Sequence, residues 1–236
     1  MVYVQKVLDM KETYAGRGCV IIPALNEEMR IGHIVSEARG RGLDCIVIDD
    51  GSVDKTRDEA ASEGADVIVH RKNHGKGMSL RDGFKRALEG EYDYVITMDG
   101  DGQHHPDELE HFIRAAGKND TDLVIGNRMG NPKDMPLRRR ATNWFMSSLI
   151  SFMAGQSIPD TQCGYRLIKT KVLRAIPLTT DKYEIESEVL IEAARAGFAI
   201  KSIPIKSIYR GQKSQIRPFK DTLRFFSFIF RVALKR

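Results

Sequence analysis

Five short, apolar, mostly β-branched runs recur along the first half of the chain. Each is followed by an acidic or glycine-rich link and then by a helical pattern. They are Cys19-Val20-Ile21-Ile22, Cys45-Ile46-Val47-Ile48, Val67-Ile68-Val69, Tyr94-Val95-Ile96-Thr97 and Leu123-Val124-Ile125. Runs this short and this rich in valine and isoleucine read as strands buried in a sheet. Between them, apolar residues fall at helical spacing, as in Ile31, Ile34, Val35 and Ala38, or Leu80, Phe84, Ala87 and Leu88. The alternation predicts an α/β domain whose central sheet is mostly parallel and flanked by helices. In open sheets of this type a ligand lies across the carboxyl ends of the strands. The acidic and glycine-rich links fall at those ends.

The fourth run leads into Met98-Asp99-Gly100-Asp101-Gly102-Gln103-His104-His105-Pro106. Residues two apart on an extended chain project to the same side. Asp99 and Asp101, with Gln103 close behind, can therefore offer oxygen to one point, which suits Mg²⁺ or Mn²⁺. A hard cation prefers oxygen, so His104 and His105 read as surface residues. The alternative for the stretch is a polar turn ahead of the next helix, with Asp107 in its first turn. The second run ends in Asp49-Asp50-Gly51-Ser52, and Asn73-His74-Gly75-Lys76-Gly77 opens a helix after the third. No G-x-G-x-x-G follows the first strand and no G-x-x-x-x-G-K-[ST] occurs, which excludes the dinucleotide fingerprint and the P-loop.

A chain of 236 residues with 42% hydrophobic composition can bury one substantial core. Its formal charge of +5 allows an anionic partner. The basic residues are dispersed apart from Arg138-Arg139-Arg140, so nucleic acid is not favoured. Cys19, Cys45 and Cys163 are far apart without metal-ligand spacing, and read as core residues of a reducing compartment. Residues 1–18 lack a signal-peptide core, and no apolar stretch approaches the roughly 20 residues of a membrane-spanning helix.

Four elements, Ile22-Pro23-Ala24-Leu25-Asn26-Glu27, Val47-Ile48-Asp49-Asp50-Gly51-Ser52 with Asp54-Lys55-Thr56, Asn73-x-Gly75-Lys76-Gly77 and Asp99-Gly100-Asp101-Gly102-Gln103, occur in this order between residues 19 and about 128. Together they resemble the family 2 glycosyltransferases, whose fold is GT-A. The resemblance implies a nucleotide-sugar donor, GDP-mannose or a UDP-hexose. Pro23, Ala24, Asn26, Glu27 and Asp50 would line the base and ribose, with Asp99 at the nucleotide and Lys76 reaching phosphate. Asp101 and Gln103 would hold the Mg²⁺ or Mn²⁺. Carboxylates suit ribose hydroxyls because each accepts several hydrogen bonds.

Further on, Gly126-Asn127-Arg128 and Met135-Pro136-Leu137-Arg138-Arg139-Arg140 are similar to the polyprenyl-phosphate branch of that family, which includes the dolichol-phosphate mannose synthases. By that resemblance Arg128 and Arg139 bind the acceptor phosphate and act with Asp101 in catalysis, and Arg210 in a basic loop joins them. The branch often carries serine where this chain has Asn143. Asp160-Thr161-Gln162-Cys163-Gly164-Tyr165-Arg166 is a further match. Trp144, Phe145, Leu149, Ile150, Phe152 and Met153 recur at near-helical spacing, as a core-facing helix or as an interfacial one. Leu223 to Leu234 repeats that pattern among Arg224, Arg231, Lys235 and Arg236, which suits an anionic surface. Ile200–Ile205 reads as an edge strand.

The expected organisation is an arm over residues 1–17, a GT-A domain over 18–217 and a basic amphipathic segment over 218–236. The expected activity is inverting transfer of a hexose, mannose or glucose, from a nucleotide sugar to a dolichyl or polyprenyl phosphate. The expected setting is the cytosolic face of a membrane, with peripheral attachment or a membrane-embedded partner. Transfer to a saccharide or protein hydroxyl is the alternative, and would need a general base such as Glu184, Glu186 or Glu188. A non-catalytic nucleotide-sugar-binding or scaffold protein is the third reading.

Overall fold

The five apolar runs form β1 (Gly18–Ala24), β2 (Asp44–Asp49), β3 (Asp66–Val69), β4 (Tyr94–Thr97) and β5 (Leu123–Asn127) in a computed structural model. The structure describes residues 16–102, 106–118, 120–130, 132, 135–206 and 218–234. Two more strands, β6 (Arg166–Lys169) and β7 (Ile200–Pro204), complete a seven-stranded sheet in the order β3-β2-β1-β4-β6-β5-β7. All neighbours run parallel except β6, which is antiparallel to both β4 and β5. The sheet is therefore mixed, and β6 is an addition to the sequence reading. Its apolar core is only Leu167-Ile168 between Arg166 and Lys169, too short for a strand pattern to register. β7 takes the outer edge, where Pro204 breaks no inner ladder.

Strand order reverses at β1. The chain steps outward from β1 to β2 and β3, then returns to place β4 on the other side of β1. The crevice above the β1 and β4 carboxyl ends is thus the topological switch point, the place where open α/β sheets bind ligands. It lies between the Ala24–Glu27 and Met98–Asp101 segments.

Helices α1 (Ile31–Gly40), α2 (Thr56–Ser62), α3 (Lys76–Glu89), α4 (Leu109–Ala116), α5 (Leu137–Ala154), α6 (Thr170–Ala175), α7 (Ile185–Arg195) and α8 (Pro218–Leu234) surround the sheet. α1 buries Ile31, Ile34, Val35 and Ala38, the stripe its spacing predicts. α3 lies directly on β1 and β2 through Gly83: a Cβ there would stand 2.5 Å from Ile21 Cγ2 and 2.9 Å from Ile48 Cδ1. Cys19, Cys45 and Cys163 are all buried.

α5 mixes polar and apolar residues on both sides, with Met146, Leu149 and Met153 packed partly against the core. Its inward side carries Asn143, Ser147 and Ile150, whereas Trp144 (66% exposed), Phe145 and Phe152 (76%) face outward. Hydroxyls stitch the inward side to the following loop. Ser147 Oγ accepts the Thr161 amide at 2.9 Å, and Ser151 Oγ accepts the Ile158 amide at 3.0 Å. Asn143 points inward too, its amide nitrogen 3.9 Å from Met135 Sδ. α8 buries Phe225, Phe228 and Val232 while Leu223, Phe226, Phe230 and Leu234 remain exposed. Arg195 on α7 fixes it by donating to the Val232 carbonyl at 2.7 Å. Among the described residues, no helix is long and apolar enough to cross a membrane.

Candidate active site

At the switch point two loops are laced together. Asn26 adopts a left-handed backbone (φ +56°), which asparagine tolerates better than most residues. Its amide donates to Ser52 Oγ at 2.9 Å and its Oδ1 accepts the Val53 amide at 3.0 Å. The Glu27 amide donates to Thr56 Oγ1 at 2.7 Å, and the Asp50 amide to the Ala24 carbonyl at 2.9 Å. Pro23, Ala24, Asn26, Glu27 and Asp50 are thereby gathered on one rim. Gly100 closes the other side: a Cβ there would stand 3.2 Å from the Pro23 carbonyl oxygen, so a bare backbone is what lets the β4 end approach β1.

Asp50 is buried and its carboxylate is well occupied. Oδ1 accepts the His74 amide at 2.8 Å and lies 2.8 Å from His70 Nδ1, and Oδ2 accepts the Gly75 amide at 2.7 Å. Those bonds hold the loop entering α3. Gly75 there has φ +99°, a left-handed backbone that favours glycine.

Lys76, the next residue, reaches across the crevice. Its Nζ sits 2.5 Å from Asp99 Oδ1 and 2.6 Å from Glu186 Oε1. Burial alone would lower the ammonium's pKa, but the two carboxylates outweigh it and raise it above the ordinary lysine value. Gly164 packs directly on this triad: a Cβ would fall 2.9 Å from Asp99 Oδ2, 2.9 Å from Glu186 Oε1 and 3.0 Å from Lys76 Nζ.

Asp101 lies at the same rim. Burial raises the Glu27 carboxyl, Arg30 at 3.0 Å pulls the other way, and the charges of Asp101 and Asp54 push it up further. Acidic groups that repel one another across a water-exposed rim fit a divalent cation, which takes one or two carboxylates and completes its shell with phosphate and water. Among the described residues no group of three or more His, Cys, Asp or Glu side chains gathers to hold a metal ion, and Asp99 is paired with Lys76, which leaves Asp101 as the described member of the implied metal set. Gln103, the other metal ligand implied by the resemblance, lies outside the described residues, as do His104, His105 and Arg210.

On the far side of β5, Arg128 forms a fork onto Asp160, with Nε 2.7 Å from Oδ2 and Nη2 2.9 Å from Oδ1. The Arg128 amide adds a third bond at 3.0 Å, and Asp160 is fully buried. Arg139 is half-buried in the first turn of α5 between the exposed Arg138 and Arg140. That turn has no acidic residue, so three guanidinium groups gather at the positive end of the helix dipole.

A family model for glycosyl transferase family 2 matches residues 19–176. The chain belongs to that family. The transferase is 32% identical over 213 residues to the UDP-N-acetylglucosamine–dolichyl-phosphate N-acetylglucosaminyltransferase of Methanococcus voltae, covering 80% of this chain and 85% of the relative. It is 31% identical over 207 residues to the undecaprenyl-phosphate mannosyltransferase of Micrococcus luteus, covering 82% and 84%. Among solved structures, glucosyl-3-phosphoglycerate synthase of Mycobacterium tuberculosis in complex with Mn²⁺, UDP and phosphoglyceric acid superposes with a TM-score of 0.68. That match covers 98% of this chain and 81% of that one at 20% identity, a likeness of fold.

Several groups that build the transferase's site escape a linear reading. Glu186 stands 110 positions from Lys76, and only the fold joins them. Asp160 is visible as a motif member but not as the partner of Arg128. Arg166 is buried and donates to the carbonyls of Cys163 (2.8 Å), Thr161 (2.9 Å) and Glu186. Burial lowers its guanidinium pKa. Glu188, one of the candidate bases for a hydroxyl acceptor, is engaged as a structural acceptor. Its carboxylate takes the amides and hydroxyls of both Thr179 and Thr180 at 2.7–3.0 Å. Cys163 is a buried thiol pushed up to about 11 by burial, which removes it as a nucleophile.

Proposed function

We propose that this transferase moves a hexose from a nucleotide sugar to a polyprenyl or dolichyl phosphate at the cytosolic face of a membrane, with inversion at the anomeric carbon. The observation that carries the proposal is a chain of packing between two features. Asp99 of the acidic rim pairs with Lys76, Lys76 pairs with Glu186 of α7, and α7 packs on α5, whose first turn carries Arg138–Arg140 and whose Trp144, Phe145 and Phe152 are exposed. The relatives from Methanococcus and Micrococcus, named for dolichyl-phosphate and undecaprenyl-phosphate acceptors, support it.

In this reading Pro23, Ala24, Asn26, Glu27 and Asp50 receive the base and ribose. Asp99 and Lys76 stand at the sugar-diphosphate, and Arg128, Arg139 and Arg210 serve the acceptor phosphate. Asp101, with Gln103, would hold a Mg²⁺ or Mn²⁺, which when bound neutralises charge on the departing diphosphate. A phosphate oxygen of the acceptor attacks the anomeric carbon as the bond to the nucleoside diphosphate breaks. A phosphate monoester with a second pKa of about 6 is already a nucleophile at neutral pH. The step then needs no general base, which agrees with the occupation of Glu186 by Lys76 and of Glu188 by threonines. The exposed aromatic residues of α5 and α8, flanked by arginine, suit the interface of an anionic bilayer.

The test is transfer of label from GDP-mannose, UDP-glucose and UDP-N-acetylglucosamine, with Mn²⁺, to polyprenyl phosphate in mixed micelles. 3-Phosphoglycerate and a free sugar serve as competing acceptors. A lipid-linked product with one donor is expected. Product only on 3-phosphoglycerate or on a hydroxyl would overturn the acceptor assignment.

A further inference from the structure

His70 sits between two carboxylates. Its Nδ1 lies 2.8 Å from Asp50 Oδ1 and its Nε2 3.0 Å from Asp82 Oδ2 on α3, with the imidazole only 10% exposed. The His70 amide donates to the Asp49 carbonyl at 2.9 Å, fixing the root of the side chain beside β2. Of the two carboxylates, Asp50 is 7% exposed and Asp82 39%. The Asp82 end can exchange its contact for water, whereas the Asp50 end cannot do so cheaply. The ring of His74 stands edge-on to His70 at 5.2 Å and closes the side of the cluster.

A carboxylate offers about four acceptor positions. On Asp50 the His74 amide, the Gly75 amide and His70 Nδ1 take three of them. Two of those donors belong to the loop that carries Lys76 into the crevice. The imidazole is the only side chain among the three. With the ring absent, Oδ1 would keep the His74 amide and Oδ2 the Gly75 amide, but the buried carboxylate would lose its one side-chain partner and resettle on the loop amides alone, shifting its remaining acceptor position.

We propose that His70 is a positioning residue for the donor nucleotide, acting through its Nδ1 contact on Asp50 and not through the Asp82 contact that anchors it to α3. The inference rests on the reading of the Asp50 rim as the nucleotide pocket. It adds a residue that none of the four sequence elements contains.

Two substitutions separate the ring's ends, because the asparagine amide falls where Nδ1 lies and the glutamine amide where Nε2 lies. His70→Asn keeps the donor to Asp50, and His70→Gln keeps only the one to Asp82. Binding of GDP and of UDP, each with Mn²⁺, is measured by calorimetry on the full chain, alongside KM and kcat for the nucleotide sugar. His70→Asn and Asp82→Asn are expected to bind within about threefold of the parent. His70→Gln is expected to weaken binding by about tenfold or more, roughly 1.4 kcal/mol, with KM rising and kcat little changed. Equal loss in His70→Asn and His70→Gln, or a tenfold loss in Asp82→Asn, would overturn the assignment. Failure of the parent chain to bind either nucleotide would overturn the nucleotide pocket itself, which is a separate result.

Discussion

Arg128 is proposed to meet the acceptor phosphate, yet the structure also makes it the partner of a fully buried carboxylate, and the two roles predict different losses. Replacing Arg128 by alanine removes both guanidinium bonds from Asp160, at 2.7 and 2.9 Å, and leaves the carboxylate with the Arg128 amide at 3.0 Å. Breaking a buried ion pair from one side costs about 3–5 kcal/mol, because the remaining charge is neither paired nor hydrated. For a chain of this length each kcal/mol lowers the melting temperature by about 2–4 °C, so a fall of about 6–20 °C is expected. Arg128→Lys keeps the charge but not the fork, and should lose about 1.5–3 kcal/mol, the worth of one hydrogen bond to a charged group. The double variant Arg128→Met with Asp160→Asn removes the stranded charge while leaving an oxygen for the amide at 128. It should recover most of the loss. Urea unfolding followed by circular dichroism reads all three through the midpoint at constant slope. A loss under about 1 kcal/mol in Arg128→Ala, or no recovery in the double variant, would refute the claim that Asp160 depends on this fork. Acceptor kinetics are then compared well below each variant's melting temperature. There Arg128→Lys should raise the acceptor KM more than the donor KM.

Asp101→Asn should abolish transfer and the Mn²⁺-dependent part of UDP or GDP binding while leaving the melting temperature within a few degrees; unchanged activity would remove Asp101 from the metal site. Lys76→Met leaves Asp99 and Glu186 facing each other, and should cost up to about 3 kcal/mol in urea unfolding, with partial rescue by adding Glu186→Gln. Gly77→Ala should cost about 1–3 kcal/mol, since its Cβ would stand 2.4 Å from the Asp181 carbonyl carbon, and backbone cannot swing aside; an unchanged melting curve would contradict that contact. For pH, burial alone would raise Asp44 and Asp122, but Tyr92 and Arg17 outweigh it at Asp44, and Lys171 with the Ala199 amide outweighs it at Asp122. Both carboxyls are thereby held below their ordinary value. Their contribution is therefore full above about pH 4 and is lost as pH falls through the lower folded values. Asp44→Asn should flatten that acid limb of the urea midpoint, and an unaltered limb would refute the assignment.

The fold of the first half was legible because its strands are short, β-branched runs set apart by acidic or glycine-rich links. Periodicity therefore located the strands and, with them, the links at the sheet's carboxyl edge. The second half hid its architecture for two physical reasons. β6 is four residues long and carries charged ends, because Arg166 turns its guanidinium to backbone carbonyls instead of to water. α5 places serine and asparagine inward beside Ile150, where hydroxyls satisfy the 158–161 loop, while Met146, Leu149 and Met153 pack against the core and Trp144, Phe145 and Phe152 face out. A helix with polar and apolar residues on both sides gives no clear periodic signal of which side is which. The large side chains alone left core-facing and interfacial readings open, and the structure shows Trp144, Phe145 and Phe152 exposed while Ile150 is buried. Lys76 shows the limit of motif reasoning in another way. Its place at the crevice was readable, but its pairing with Glu186 was set by a helix 110 residues away.

That pairing joins the two halves of the chain across the crevice. The segment leading into α7 touches the loop and first turns of α3 at successive positions. The Asp181 carbonyl accepts the Met78 amide at 3.1 Å, its carboxylate takes Arg81 at 2.6 Å, Lys182 donates to the His74 carbonyl, and Glu186 meets Lys76. Arg166 then ties the Glu186 carbonyl back to Thr161 and Cys163, in the same loop whose Asp160 holds Arg128. A continuous set of charged and backbone contacts therefore runs from Asp50, through Gly75 and Lys76, to the arginine proposed for the acceptor. In the proposed reading, Lys76 between Asp99 and Glu186 neutralises two acidic groups that would otherwise repel the donor's diphosphate. A half-buried lysine and a buried arginine thus join the proposed donor and acceptor sides, and in that reading Asp101 remains for the cation.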